Sequence, residues 1–260
     1  MSEFLDATIK AAREAGRIQL NYFGKKKQII SKGGIDIVTN ADIECENQVV
    51  SFLKEKFPEH GFVLEEGKDI KESDNDKDKY VWYIDPIDGT TNYAHNVPHF
   101  CVSIALEKNT ELVVGVVFDP IKNELFYAEK GKGAFLNEKE INVSGVLELD
   151  KSIVATGFPY ERKDNTINNS REFCRVMPNV AGIRRFGSAA LDLCYVATGR
   201  FDGYWELTLK PWDYLAGKLI IEEAGGKVTD LFGKKLKYQE KRVLASNGRI
   251  HNKLVALLSE

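Results

Sequence analysis

The stretch Trp82-Tyr83-Ile84-Asp85-Pro86-Ile87-Asp88-Gly89-Thr90-Thr91-Asn92-Tyr93 places an apolar run directly before two aspartates and a cluster of turn residues. Val81 to Ile84 are β-branched or aromatic and read as a strand. Pro86 and Gly89 turn the chain, and Thr90, Thr91 and Asn92 offer caps for a helix. Two carboxylates therefore stand at a strand end, beside a helix start whose unpaired backbone N–H groups suit a phosphate. All-oxygen ligation suits a hard cation, and Mg²⁺ takes one or two carboxylates while keeping waters and a substrate phosphate. From these two aspartates alone, a capped turn and a metal site are equally good readings.

Upstream, Phe4, Ala7, Ala11, Ala15, Ile18 and Tyr22 recur every three or four residues and predict a helix from near Ser2 to a stop at Gly24. A second helix begins after Thr39, runs through Val49, Leu53 and Phe57 to Pro58, and carries Asp42 in its first turn. The basic stretch from Lys25 to Gly34 reads as a turn-rich connection, and the charged stretch from Lys68 to Lys79 as an exposed loop. Downstream, Val102 to Leu106, Leu112 to Phe118 and Glu124 to Ala128 are consecutive strands, which implies antiparallel pairing. Beyond about Leu149, short strands (Ile153 to Thr156, Gly203 to Glu206, Lys227 to Thr229, Val243 to Ala245) alternate with helices (Ser188 to Thr198, Asp213 to Ala224). Leu254, Leu257 and Leu258 fit a closing helix. An N-terminal α+β half, residues 1–149, and a C-terminal α/β half, residues 150–260, are expected to form one continuous mixed α/β unit.

A chain of 260 residues, 43% apolar and 29% charged, has the composition of a folded globular protein and excludes wholesale disorder. With 39 acidic against 36 basic residues, no excess of cations exists for a nucleic-acid backbone. The N-terminal residues lack the basic flank and apolar stretch of a signal peptide, and the longest strongly apolar run, Val113 to Phe118, is far too short to cross a bilayer. A cytoplasmic protein with neither nucleic acid nor membrane as partner is expected. The four cysteines include no CxxC pair. His95 and His99 are spaced like two helical ligands, but Pro98 disfavours a regular turn and no third soft ligand is near, which argues against zinc. His60 and His251 fall in loop-like, polar contexts and receive no role.

Further acids stand in similar places. Glu65-Glu66 follows the strand-like Phe62-Val63-Leu64, and Pro211-Trp212-Asp213 opens a helix that ends at Ala224-Gly225-Gly226. Taken alone, Asp213 reads first as a helix cap. Taken together, these spacings resemble the inositol monophosphatase family of lithium-sensitive, metal-dependent sugar phosphatases over nearly the entire chain. Trp82 to Tyr93 matches its W-x-I-D-P-I-D-G-T-x-N-[FY] signature. Trp212-Asp213, Ala216-Gly217 and Glu223-Ala224-Gly225-Gly226 match its C-terminal signature, while Asp36-Ile37-Val38-Thr39 with Asp42, and Glu65-Glu66, fall in the family's order.

That resemblance implies a layered αβαβα sandwich of the sugar-phosphatase type and a homodimer. It implies a Mg²⁺-dependent phosphomonoesterase of myo-inositol 1-phosphate or a related sugar or polyol phosphate, with two to three Mg²⁺ ions per active site. By it, Glu65, Asp85 and the Ile87 carbonyl hold the first Mg²⁺, and Asp85, Asp88 and Asp213 the second; Glu65 assists through a third, weaker ion. Asp42 with Thr90 positions and deprotonates the attacking water. Phosphate falls to the N–H groups of Gly89 and Thr90, with Lys32 closing over it. Substrate hydroxyls fall to Asp88, Asp213, the Ser188-Ala189 turn and Glu206.

Leu64 stands where the family often has Gly, Ser188 where animal members have Thr, and Pro211 where they have Cys, which looks like the bacterial and archaeal branch. None of these departures removes a ligand. Fructose 1,6-bisphosphate is the rival substrate, with Arg184-Arg185 available to a second phosphate. A rival of another class is a regulatory binding partner in which catalysis is secondary.

Overall fold

Strand-forming residues on both sides of Asp85 assemble into two sheets in a computed structural model that describes residues 2–25, 29–33, 36–71, 78–160, 166–236 and 240–259. The first sheet has seven strands in chain order: β3 (Gly61–Leu64), β4 (Tyr80–Asp88), β5 (Cys101–Lys108), β6 (Glu111–Asp119), β7 (Glu124–Glu129), β8 (Ala134–Leu136) and β9 (Lys139–Ile141). From β4 onward the pairs are antiparallel, as short connections between consecutive strands demand. β3 instead runs parallel to β4, a pairing that the long connection from Leu64 to Tyr80 permits.

One face of this sheet is covered by α1 (Glu3–Tyr22) and α2 (Asn40–Lys56). Ala7, Ala11 and Ala15, with Val49 and Leu53, meet Trp82, Ile84, Ile104 and Val116 in a single core. Burying the valine, leucine and isoleucine side chains among these stabilises by roughly 1.5–3 kcal/mol each before entropy is counted. The other face packs on α5 (Ala189–Ala197) and α6 (Pro211–Glu223), whose far sides meet the second sheet. All nine residues of α5 are buried, so its sequence carries no amphipathic stripe. A Cβ on Gly115 would stand 2.7 Å from the Ala216 carbonyl, so glycine lets α6 lie directly on β6.

The second sheet is ordered β11 (Gly182–Arg184), β10 (Ile153–Thr156), β12 (Gly203–Glu206), β14 (Val243–Ser246), β13 (Lys227–Thr229). Its first three strands are parallel, and the last two pairings are antiparallel. α4 (Ser170–Val176) and α7 (His251–Leu258) pack on its outer face through Val176, Trp205, Leu244 and Leu254. The layers thus run helices, sheet, helices, sheet, helices, the expected αβαβα sandwich. The first sheet ends at Ile141 and the second begins at Ile153. Among the described residues no helix is long and apolar enough to cross a membrane.

Three expectations need correction. The stretch from Lys25 to Gly34 is not all turn, because β1 (Ile29–Gly33) pairs antiparallel with β2 (Asp36–Thr39), where β-branched Ile30 faces Val38. His60 is buried, stacked between Phe57 and Tyr80 at ring separations of 5.0 and 4.6 Å, and its Nδ1 accepts the Trp82 indole N–H at 3.0 Å. His251 is buried between the hydroxyls of Ser246 and Thr229, at 2.8 and 2.9 Å. Polar neighbours in the chain disguised both rings, whose real neighbours come from other elements.

Candidate active site

β4 does not stop at Ile84 but continues to Asp88, and its register with β5 shifts between Asp85 and Asp88. The shift accommodates Pro86, which has no N–H to give the ladder. The Pro86 carbonyl accepts the buried Gln19 Nε2 at 2.7 Å, and the Ile87 N–H donates to Asp85 Oδ1 at 3.0 Å. Gly89 follows with φ +99°, and a Cβ there would stand 3.0 Å from the His99 carbonyl. Only glycine suits both constraints. At the start of α3 (Thr90–Ala94), the Thr90 hydroxyl lies 3.0 Å from the Ile87 carbonyl and 3.3 Å from Asp42 Oδ1. Asp42 is buried; its Oδ2 accepts both the N–H and the hydroxyl of Thr39, and burial pushes its pKa up to about 6.

Asp85 shares a hydrogen bond with Glu65. Its burial, and then the charges of Glu65, Asp88 and Asp213, hold its carboxyl well above the usual range. Asp213 is likewise raised by burial and then by Glu65. It does serve the helix end, but from inside the first turn of α6, where its Oδ2 accepts the Lys210 N–H at 2.7 Å. Pro211 fills the first helical position, where a missing N–H costs nothing, so α6 starts two residues before the predicted Asp213.

Asp88 faces the C-terminal half. Its Oδ2 accepts the Ser188 hydroxyl at 2.6 Å and the Ala190 N–H at 2.7 Å, and the Ala189 N–H turns on the same carboxylate. Burial raises the Asp88 pKa, and these donors pull it back. The N-terminus of α5 is therefore aimed at a carboxylate, the favourable end for negative charge. Asn92 makes a second tie, donating through Nδ2 to the carbonyls of His99 at 2.9 Å and Phe186 at 2.8 Å.

Glu65, Asp85, Ile87, Asp88, Gly89, Thr90, Ser188, Ala189, Glu206 and Asp213, ten of the predicted residues, line one hollow of about 400 Å³. Asp42 stands behind it and reaches it through Thr90. The side chain of Lys32 lies outside the described residues. Glu206, at the end of β12, accepts the Tyr204 hydroxyl, and burial pushes its pKa up to about 7. A Cβ on Gly157 would collide with the Glu206 carboxylate, so glycine there makes the room that this acid occupies. A larger hollow, about 460 Å³, lies behind α6, but its Lys130–Glu111 and Lys218–Glu222 pairs largely cancel one another.

Sequence reasoning passed over Asp192, which lines the same hollow as Arg185, the residue it offered to a second phosphate. Asp192 is only 1% exposed, and its Oδ1 has no hydrogen-bond partner among the described residues. Burial, then the charges of Asp88 and Glu206, hold its pKa well above the usual range. An aspartate in the first turn of a helix is ordinary, which hid it. The signal was its isolation as the single acid in Ala189-Ala190-Leu191-Asp192-Leu193-Cys194-Tyr195-Val196-Ala197.

Among the described residues, no three His, Cys, Asp or Glu side chains close into a finished metal cage. Mg²⁺ needs none, since it keeps several waters and prefers few carboxylates. The donor set fits it: the acids are buried, all-oxygen, and raise one another's pKa, a repulsion that a divalent cation relieves. His95 is exposed beyond α3, and His99 packs 5.1 Å from the Phe186 ring.

The model of the inositol monophosphatase family matches residues 1–260. An inositol-1-monophosphatase of Caulobacter vibrioides is 44% identical over 255 residues, covering 96% of this chain and 98% of its own. The Nus factor SuhB of Vibrio cholerae is also 44% identical, over 256 residues, covering 96% of this chain and 93% of its own. Among solved structures, the extragenic suppressor protein suhB of Bartonella henselae superposes with a TM-score of 0.94 at 41% identity, covering 100% of this chain and 99% of that one.

Proposed function

The chain belongs to the inositol monophosphatase family, and from that premise we propose a Mg²⁺-dependent phosphomonoesterase of myo-inositol 1-phosphate or a closely related polyol or sugar phosphate. The observation that carries this is the gathering of Glu65, Asp85, Asp88 and Asp213 on one hollow that Glu206 and the first turn of α5 also line. Glu65, Asp85 and the Ile87 carbonyl would hold one Mg²⁺, and Asp85, Asp88 and Asp213 a second, with Glu65 serving a third, weaker site. Mg²⁺, when bound, supplies an activated water near neutral pH and neutralises charge on the leaving oxygen. The Ile87 carbonyl accepts from Thr90 and keeps a second lone pair for this task.

Asp42, with a pKa of about 6, is suited to take the proton of the attacking water through the Thr90 hydroxyl. The water oxygen bonds to phosphorus as the ester P–O bond breaks; the leaving alkoxide takes a proton from solvent to depart as the alcohol, and Asp42 returns its proton to solvent. The N–H groups of Gly89 and Thr90, with Lys32, would hold the phosphate. Asp88, Asp213, Glu206 and the Ser188-Ala189 turn would receive substrate hydroxyls, which are donors to carboxylates. Because Asp88 also accepts from α5, a substrate hydroxyl there shares it with Ser188 and Ala190. A cytoplasmic homodimer completes the proposal.

Arg185, in the wall beside Asp192 and Glu206, offers a cation to the second phosphate of fructose 1,6-bisphosphate, but those two acids compete for it. A regulatory binding role beside the chemistry is favoured by the 44% identity to the Vibrio cholerae Nus factor. The test is phosphate release from a panel of polyol, sugar and nucleotide phosphates, with and without Mg²⁺ and with millimolar Li⁺. Mg²⁺-dependent, Li⁺-inhibited release, fastest on inositol 1-phosphate, is expected. Folded, Mg²⁺-replete protein that turns over no ester overturns the proposal in favour of the binding role.

A further inference from the structure

We infer that Glu46 is a positioning residue that sets the Glu65 loop for metal binding, an inference that rests on the metal site proposed above. Glu46 lies on α2 and is 4% exposed. Its Oε2 accepts the Glu66 N–H at 2.9 Å, and the N–H groups of Glu65 and Gly67 turn on the same carboxylate. Successive backbone N–H groups around one anion form the kind of concave nest that holds negative charge. A Cβ on Gly67 would stand 2.8 Å from Glu46 Oε1, so the loop closes on the carboxylate with no side chain between them.

Residues 65–67 follow the end of β3 at Leu64 and belong to neither helix nor strand. The Phe62–Ile70 bridge and the Leu64 N–H on Asp69 Oδ1 at 3.1 Å close the base of this loop, and the Glu46 carboxylate grips residues 65–67 between them. With the backbone gripped from the α2 side, the Glu65 side chain reaches the hollow and hydrogen bonds to Asp85. Asp42 stands four residues earlier in α2, on the same face of the helix. One helix thus fixes both the proposed proton acceptor and, through a loop backbone, a proposed metal ligand.

The test is Glu46→Gln in the full chain. Gln keeps the volume but removes the charge and turns an NH₂ group toward N–H donors. Calorimetric titration of the metal-stripped protein with Mg²⁺ or Mn²⁺ is expected to show affinity weakened about tenfold or more. The Mg²⁺ concentration for half-maximal phosphate release should rise in parallel, with kcat at saturating Mg²⁺ within about threefold of the parent, and Glu46→Asp should recover part of the affinity. A lowered Tm with unchanged metal affinity overturns the inference and leaves Glu46 a purely structural acid. If Glu46→Gln does not fold, Gly67→Ala displaces the same carboxylate from the loop side; it should weaken metal binding likewise, and unchanged affinity there overturns the inference. Parent protein that binds metal and releases phosphate while both variants match it sinks only the role of Glu46; parent protein that does neither sinks the phosphatase reading as well.

Discussion

The end of β4 and the end of β12 both deliver buried acids to the same hollow, yet they treat them in opposite ways. At β4, Asp85 is surrounded by Glu65, Asp88 and Asp213, so burial and like charge act together against its ionised form. At β12, Glu206 has the Tyr204 hydroxyl as donor and the space left by Gly157, and its pKa stays near 7. Uncompensated negative charge on one wall calls for cations. An acid already served by a neutral hydroxyl is suited to others, those of a polyol. On that reading, the ends of β4 and β3 with the start of α6 form the metal and phosphate wall of the proposed site, and the end of β12 its sugar wall.

The sharpest way to break that division is Asp88→Asn. It removes a proposed ligand and an acceptor of the α5 turn, and phosphate release should fall by about 10³-fold or more while circular dichroism stays native. Near-parental turnover would sink the metal assignment. Next in size is Asp42→Asn, which removes the proposed proton acceptor and should lower kcat by about 10²–10⁴-fold with KM little changed. Smaller, and confined to the other wall, Glu206→Gln should raise KM for inositol 1-phosphate about tenfold, the worth of one hydrogen bond to a charged group. A simple ester without ring hydroxyls should be unaffected, and an equal loss on both substrates would erase the distinction between the walls.

The smallest effect is one of pH. Asp42 and Glu206 have folded pKa values of about 6 and about 7, above those of unfolded carboxylates, so the stability they contribute is complete at acid pH and lost as pH rises through those values. Without metal, Tm should fall by about 5 °C between about pH 5 and pH 8, and saturating Mg²⁺ should flatten the slope. A flat metal-free profile would mean that the buried acids are already compensated within the protein.

The residues that line the hollow were largely legible, because strand, turn and helix start lie together within Trp82 to Tyr93 and the remaining acids follow recognisable boundaries. The layer order was legible too, since consecutive strands followed by alternating helices admit few arrangements. Besides Asp192, what escaped were the residues that act through backbone contacts. Gln19 reaches Pro86 across 67 positions, Glu46 holds a loop 20 positions away, and Asn92 ties down Phe186 at a separation of 94. No periodicity marks a polar side chain whose partner is a distant carbonyl or N–H. The β1–β2 ribbon was missed for a local reason, its β-branched residues lying beside lysines and glycines that read as a turn.

The bond between Asp88 and the first turn of α5 joins a proposed metal ligand on the first sheet to the helix layer between the two sheets. A cation seated there would bind only the assembled molecule, and its binding energy would be shared by the whole chain. Thermal stress would then divide a population into intact catalysts and inert chains, with no weakened intermediates. Loss of activity on heating should coincide with the melting of both sheets in one transition.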